Sequence, residues 1–253
     1  MMLRSAIFLL FGAVLGGCVA SGPRDPLATA EGRDAARAAY VQLGIGYLQQ
    51  GSTEQAKVPL KRALALNGND ADAHAALALV FQSEMEPELA DQHYRKALAA
   101  RSEARILNNY GSFLYEQRRY EDAYQRFQQA AADHLYPERS RVYENLGLTA
   151  LQLGRRAQAR EHFQRSLRLN RNQPRVLLEM AALSFEDRHY VPARGYYERF
   201  VGLKGLQDAR SLLLGARLAK VFEDRAGAAA YGTQLSRLYP GSPEYQQYLA
   251  EQQ

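Results

Sequence analysis

Cysteine is nearly absent from this 253-residue chain, which contains only Cys18. A disulfide within the chain and a metal site built from several cysteines are therefore excluded. The five histidines include no pair at the H-E-x-x-H spacing, and the sequence has neither a G-x-S-x-G motif nor a P-loop. We therefore predict that the chain is not an enzyme and that it binds no metal and no small-molecule substrate.

The chain also has little excess of positive over negative charge. The formal net charge is +5, and the Lys and Arg residues are scattered, with no run of five or six. Nucleic-acid-binding domains carry basic residues clustered on one face, so we predict no nucleic-acid partner. Apolar residues make up 47% of the chain, which is ample for a buried core.

The apolar stretch at the N-terminus, residues 5–15, is too short to span a bilayer. It follows Arg4 and precedes two glycines, an order that is typical of a secretory signal. The segment LGGC, residues 15–18, resembles the lipobox of bacterial lipoproteins. The resemblance implies removal of the signal peptide, residues 1–17, and lipidation of Cys18. The alternative is an incidental cysteine behind an ordinary signal.

The residues after Cys18 indicate where the chain is anchored. Val19 rather than Asp follows the cysteine, which by resemblance to the lipoprotein sorting rule favours the outer membrane. Residues 18–33 contain Gly, Ser and two prolines, so we predict a tether there. The expected location is the outer membrane of a Gram-negative bacterium, lipid-anchored and facing the periplasm. The covalent lipid is the only non-protein group expected, and no cofactor is predicted.

From residue 34 onward the sequence repeats with a period close to 34 residues. A large apolar residue followed by a small one recurs six times, and the small residues are spaced 34, 33, 36, 34 and 34 positions apart. The pairs are Leu43–Gly44, Leu77–Ala78, Tyr110–Gly111, Leu146–Gly147, Met180–Ala181 and Leu214–Gly215. Another small residue stands twelve positions later, and Leu, Phe or Tyr stands sixteen later. This pattern is typical of tetratricopeptide (TPR) repeats, in which small residues let two antiparallel helices approach closely.

We therefore predict an all-α fold, a right-handed superhelix of six TPR helix-turn-helix repeats with a C-terminal capping helix. The first unit should have helices near residues 36–50 and 53–66. The TPR domain spans residues 34–253, with repeats at about 37–70, 71–103, 104–139, 140–173, 174–207 and 208–240 and a cap at 241–253.

The first helices of TPR units line an inner groove, and the first unit places apolar residues at groove positions. Val41, Ile45 and Leu48 are the candidates for contact with a partner protein. Exposed apolar patches tend to mark interaction sites. The alternative is that the N-terminal tether folds back over them.

Units three and four repeat an Arg and an Asn four residues apart, Arg105 with Asn109 and Arg141 with Asn145. Residues at this spacing share one helical face. An Asn amide can hydrogen-bond a peptide backbone, and Arg can hold a carboxylate in a fork. We predict a peptide-binding ladder here. The alternative is a solvated Arg beside a locally bonded Asn.

Three segments, residues 106–130, 143–155 and 240–249, are similar to the PilF/PilW family of type IV pilus biogenesis lipoproteins. The resemblance covers the lipobox, the six repeats and the end of the chain. It implies a pilotin that binds the secretin subunit of the type IV pilus and promotes its outer-membrane localisation and multimerisation. The alternative is a lipid-anchored TPR adaptor for another envelope machine, for outer-membrane protein insertion or for peptidoglycan enzymes.

Overall fold

A computed structural model describes residues 25–203, 205 and 207–252, and every regular element in them is helical. A short 3-10 turn, Pro26–Ala28, precedes the first α-helix. The α-helices are α1 (Ala30–Gln49), α2 (Thr53–Leu66), α3 (Ala71–Ser83), α4 (Pro87–Ala100), α5 (Ala104–Glu116), α6 (Tyr120–Ala131), α7 (Arg139–Gln152), α8 (Arg156–Leu169), α9 (Pro174–Glu186), α10 (Tyr190–Gly202), α11 (Ala209–Val221), α12 (Arg225–Leu238) and α13 (Pro243–Ala250). Within these residues, no helix has both the length and the apolar character that a bilayer span requires.

Consecutive helices pack as six antiparallel pairs, α1 with α2 through α11 with α12. We call the first helix of each pair its A helix and the second its B helix. Each pair then packs against the next, and α13 packs on α11 and α12. The predicted all-α arrangement of six helix pairs and a capping helix is confirmed.

The first helix begins earlier than predicted. Helix α1 starts at Ala30, so residues 30–33 belong to a helix rather than to the predicted tether. The cause is a side-chain cap, because Thr29 Oγ1 accepts a hydrogen bond from the Gly32 backbone N–H at 3.0 Å. The signal peptide and Cys18 lie outside the described residues, so their predictions stand untested.

The small residues of the repeat make room for a large side chain of the paired B helix, as predicted. A Cβ added to Gly44 would lie 2.5 Å from Leu60 Cγ, and one added to Gly111 would lie 2.7 Å from Phe127 Cε1. Gly147 meets Phe163 still more closely. Because real Cβ atoms do not approach other carbons to these distances, α1, α5 and α7 can pack this closely only with glycine there.

Every A helix ends in the same left-handed turn. The residue that follows the helix C-cap has a positive φ in all six units, and only two of the six residues are glycine. They are Gly51, Met85, Arg118, Gly154, Arg188 and Glu223. In the first unit, the next backbone N–H, that of Ser52, donates to the Tyr47 carbonyl at 2.9 Å. This is the Schellman arrangement, which satisfies carbonyls at the end of the helix.

The capping helix closes the apolar end of unit six. Tyr245 and Tyr248 of α13 pack against the buried Leu212, Leu213 and Leu235. The last turn is held by Arg217, whose Nε donates to Glu251 Oε1 at 3.0 Å. A terminal repeat without such a cover would expose its inner surface to water.

His74 is buried and hydrogen-bonded. Its Nε2 lies 3.1 Å from the Gly68 carbonyl, which can only accept, so Nε2 carries the proton. In the neutral ring Nδ1 is then an acceptor, and it receives a hydrogen bond from Nδ1–H of His93 at 3.0 Å. Burial lowers the pKa of both rings, that of His93 to about 4, and so keeps the pair neutral.

Candidate protein-binding surface

A helices of neighbouring units approach one another closely at three places, α1 with α3, α5 with α7 and α9 with α11. We call the exposed side of α1, α3, α5, α7, α9 and α11 the A-helix face. The predicted contact residues all lie on these helices: Val41, Ile45, Leu48, Arg105, Asn109, Arg141 and Asn145.

Val41 was predicted to point into an open groove, and this prediction is wrong. The residue is only 3% exposed and packs with Ala63 of α2 and Ala73 of α3. Helix α1 presents Val41 to its own B helix and to the next A helix at once. The side chain therefore belongs to the core between units one and two.

Ile45 and Leu48 are half-buried and keep part of their surface open. Both pack against a small core between units one and two that contains Leu60 and Leu77. They stay candidates for contact with a partner, since a partner can cover what remains exposed.

Leu43 is an exposed apolar residue of the first unit that the sequence analysis missed. It is 49% exposed. At the same position in unit three, Tyr110 is buried and stacks on Tyr94 of the preceding B helix, with ring centroids 5.2 Å apart. Among the described residues no unit precedes unit one, so Leu43 lacks such a cover. Its place as the large residue of the first repeat was the available signal.

The asparagine ladder differs from the prediction by one residue. Asn145 Nδ2 donates to Oδ1 of the buried Asn108 at 3.1 Å, whereas the predicted pair was Asn109 and Asn145. One residue along a helix turns the side chain by about 100°. That turn directs Asn108, rather than Asn109, towards the next A helix. Asn145 therefore joins units three and four, which is the locally bonded alternative for this residue.

The two arginines of the ladder differ in their surroundings. Arg105 forms an ion pair with Asp72 of α3, which also binds Arg101 at 2.7 Å. Arg141 is 66% exposed, and its nearest carboxylate, Glu138, is 3.8 Å away. Arg105 is thus shared with a neighbouring unit, while Arg141 extends into solvent and keeps its capacity to fork a carboxylate.

The A-helix face becomes charged in units four to six. Glu179 is buried and binds Arg210 through two oxygens, at 2.6 and 2.9 Å. Burial raises the pKa of Glu144, which the nearby Arg175 and Arg141 partly oppose. The sequence alone carries no sign that Glu179 pairs with Arg210, which lies 31 residues later in the chain.

Apolar side chains at unit one and amides and charges from unit three onward are the elements of a protein-binding surface. The described residues contain no group of three or more His, Cys, Asp and Glu side chains placed to hold a metal ion. The arrangement offers an extended partner apolar contact area in unit one and the exposed guanidinium of Arg141 in unit four.

The asparagine contact predicts unequal effects of two similar substitutions. We expect Asn145→Ala to lower the free energy of unfolding by about 1–2 kcal/mol, because it leaves the buried Asn108 carbonyl oxygen without its donor. Asn109→Ala should change it by less than about 0.5 kcal/mol. Urea unfolding followed by circular dichroism measures both, and equal losses would contradict the assignment of Asn145 to the joint between units.

The comparison with known families agrees with the helix pairs. Residues 102–172, which include α5 to α8, match the tetratricopeptide repeat family. The match covers the units in which glycines and phenylalanines interlock most closely.

Proteins of type IV pilus biogenesis match most of the chain. The chain is 65% identical over 252 residues to the type IV pilus assembly protein PilF of Pseudomonas aeruginosa, covering 99% of this chain and 100% of that protein. A solved structure of Pseudomonas aeruginosa PilF superposes with a TM-score of 0.84 at 68% identity, over 87% of this chain and 99% of the other. A solved structure of PilW, a widely conserved type IV pilus biogenesis factor, superposes with a TM-score of 0.71 at 26% identity, over 84% and 98% of the two chains.

Proposed function

Because the chain belongs to the PilF/PilW family of type IV pilus assembly proteins, we propose that it acts in pilus biogenesis as a lipid-anchored pilotin. It binds a secretin subunit and promotes the localisation and multimerisation of the secretin in the outer membrane. The observation that carries the proposal is the 65% identity to PilF across 99% of the chain. The lipobox at Cys18 supports the membrane part of the proposal.

The proposed mechanism separates anchoring from binding. Acyl chains on Cys18 hold the protein at the membrane, since each buried methylene contributes about 0.8 kcal/mol. The repeats grip one secretin subunit and bring it to the membrane plane. Confinement to that plane raises the effective concentration of secretin subunits. This favours assembly of the ring without strengthening any single contact between subunits.

We place the grip on the apolar part of the A-helix face in unit one. Ile45 and Leu48 keep part of their surface open, and Leu43 presents half of its side chain to water. Ile45 and Leu48 lie about 60° apart around α1 and offer one hydrophobic contact area to a partner segment. Leu43 lies about 140° from Leu48 and adds apolar surface at the open end of unit one. The amides and charges of later units can then fix the orientation of that segment.

A deletion strain tests the pilotin proposal. We expect loss of twitching motility together with secretin that is monomeric or absent from outer-membrane fractions. Expression of the Cys18→Ala variant in this strain should restore neither the outer-membrane location of the secretin nor its full assembly, because the lipid anchor is lost. Normal pili and an intact secretin ring in the deletion strain would contradict the proposal and leave an adaptor of another envelope machine.

Paired variants test the place of the grip. Leu43→Ser combined with Leu48→Ser should reduce co-purification of the secretin, because it removes apolar surface from unit one. The control is Val58→Ser combined with Val191→Ser, at B-helix residues that are 56% and 67% exposed. Thermal unfolding confirms that each double variant is folded. An equal reduction by both pairs would argue against a grip at unit one.

A further inference from the structure

A second candidate binding site lies on the B helices, away from the A-helix face. The last turn of α8, the loop after it and helix α10 line an open surface cleft of about 620 Å³. Three arginines line it, Arg168, Arg171 and Arg199.

The three arginines differ from their neighbours in having no carboxylate partner. Nearby on α8, Arg156 binds Glu186 at 2.6 Å and Arg165 binds Glu161 at 2.6 Å. In the part of the chain that the structure describes, no carboxylate lies within 4.0 Å of the guanidinium groups of Arg168, Arg171 or Arg199. Like charges gathered around one cleft repel each other, and a bound anion would relieve that repulsion.

The walls of the cleft are held in place by hydrogen bonds. Arg199 Nη2 donates to the Arg171 carbonyl at 3.0 Å, which links α10 to the loop after α8. In that loop, the Asn172 N–H donates to Asn170 Oδ1 at 3.0 Å, and the buried Gln173 donates to the Ser166 carbonyl at 3.3 Å. A site that is formed before its ligand arrives costs less ordering entropy on binding.

We propose that this cleft binds an acidic peptide segment of a partner protein. The guanidinium groups supply forked donors for Asp and Glu carboxylates. The other lining residues match the rest of a peptide: the amides of Gln164 and Asn172 can bond its backbone. The ring of Tyr196, which lies beside the buried Leu167, forms an apolar wall for a neighbouring side chain. A lipid headgroup would use the arginines but would leave the two amides and this wall without a role.

The site is independent of the proposed pilotin grip, because it lies on α8 and α10 rather than on unit one. The test therefore uses purified full-length protein in uncharged detergent and needs no pilus assay. The probe is a fluorescein-labelled hexapeptide in which Glu and Asp alternate with Leu. The control is the same peptide with Gln in place of Glu and Asn in place of Asp. We expect fluorescence anisotropy to show binding of the acidic peptide and none of the amide peptide.

Two triple variants with the same change of net charge decide whether the cleft is responsible. Arg168→Gln, Arg171→Gln and Arg199→Gln together should weaken binding of the acidic peptide at least about tenfold, because charge-assisted hydrogen bonds are lost. Arg155→Gln, Arg156→Gln and Arg160→Gln together, at arginines paired with carboxylates, should weaken it less than about threefold. Circular dichroism verifies the fold of both.

Three results would overturn the proposal. The first is no binding of the acidic peptide by the unaltered protein, and the second is equal weakening by both triple variants, which would indicate a general charge effect. The third comes from glycerol phosphate, a soluble analogue of a phospholipid headgroup, titrated in the same detergent with binding followed by calorimetry. If the cleft variant loses binding of glycerol phosphate while peptide binding stays unchanged, the cleft is a lipid-headgroup site.

Discussion

A Gly147→Ala variant is expected to unfold with a free energy about 1–3 kcal/mol below that of the parent, which is the usual cost of overfilling a packed core. The reason is the fully buried ring of Phe163, which lies where the new Cβ would be. Alanine is by itself the better helix former by about 1 kcal/mol, so the loss would occur against the intrinsic preference of the helix.

The matched control is Gly195→Ala in α10, where a Cβ meets no atom within 4 Å. That substitution should raise the unfolding free energy by about 0.5–1 kcal/mol through helix propensity alone. Urea unfolding monitored by circular dichroism measures both variants. Opposite signs for the same chemical change would assign the effect at Gly147 to its contact with the B helix.

A double-mutant cycle separates the contact from other consequences of the substitution. Phe163→Leu should by itself destabilise the protein, because it leaves space in the core. In the Gly147→Ala background the shorter side chain relieves the overlap. The double variant should therefore lose about 1 kcal/mol less unfolding free energy than the sum of the losses of the two single variants. Strict additivity would contradict a direct clash between these two positions.

The helix pairs could be predicted from the sequence because their packing is encoded at fixed spacings. A small residue in each A helix and a large one sixteen positions later must meet for the pair to close, and both leave a trace in the sequence. Helix α2 has the predicted bounds, Thr53–Leu66. The start of α1 was misplaced because one capping side chain, Thr29, extends the helix beyond the repeat pattern.

The candidate site was harder to predict because it depends on contacts between units. Whether Val41 faces a groove or a core is decided by Ala63 and Ala73, which lie in other helices. Whether Asn108 or Asn109 meets Asn145 depends on the rotation of one helix against the next, which no spacing rule defines to within a residue. Such details follow from how the units stack.

The charged contacts show the same limit at longer range. Arg37 pairs with the buried Asp70, and Glu179 pairs with Arg210, each across more than thirty residues. Since consecutive units place equivalent positions side by side, the repeat period predicts which units can exchange such contacts. It does not predict which arginines find a carboxylate and which, like Arg168, do not.

The left-handed turns lead to the second large effect, a gain in stability. We expect the combined variant Met85→Gly, Arg118→Gly, Arg188→Gly and Glu223→Gly to gain about 2–4 kcal/mol in unfolding free energy, roughly 0.5–1 kcal/mol per site. A residue with a Cβ in the left-handed region costs roughly 1–2 kcal/mol, and glycine avoids this cost. Part of the gain is lost again, because a glycine makes the unfolded chain more flexible. Each of the four has φ between 58° and 60°.

The gains should add, because the four turns belong to different units and share no contacts. All four side chains are exposed, and none forms an ion pair in the described part of the chain, so little else is lost with them. The reverse changes, Gly51→Ala and Gly154→Ala, should each cost about 1 kcal/mol. Thermal and urea unfolding of single and combined variants measure the series. A combined variant no more stable than the parent would contradict strain at these turns, since glycine already occupies the same position in units one and four.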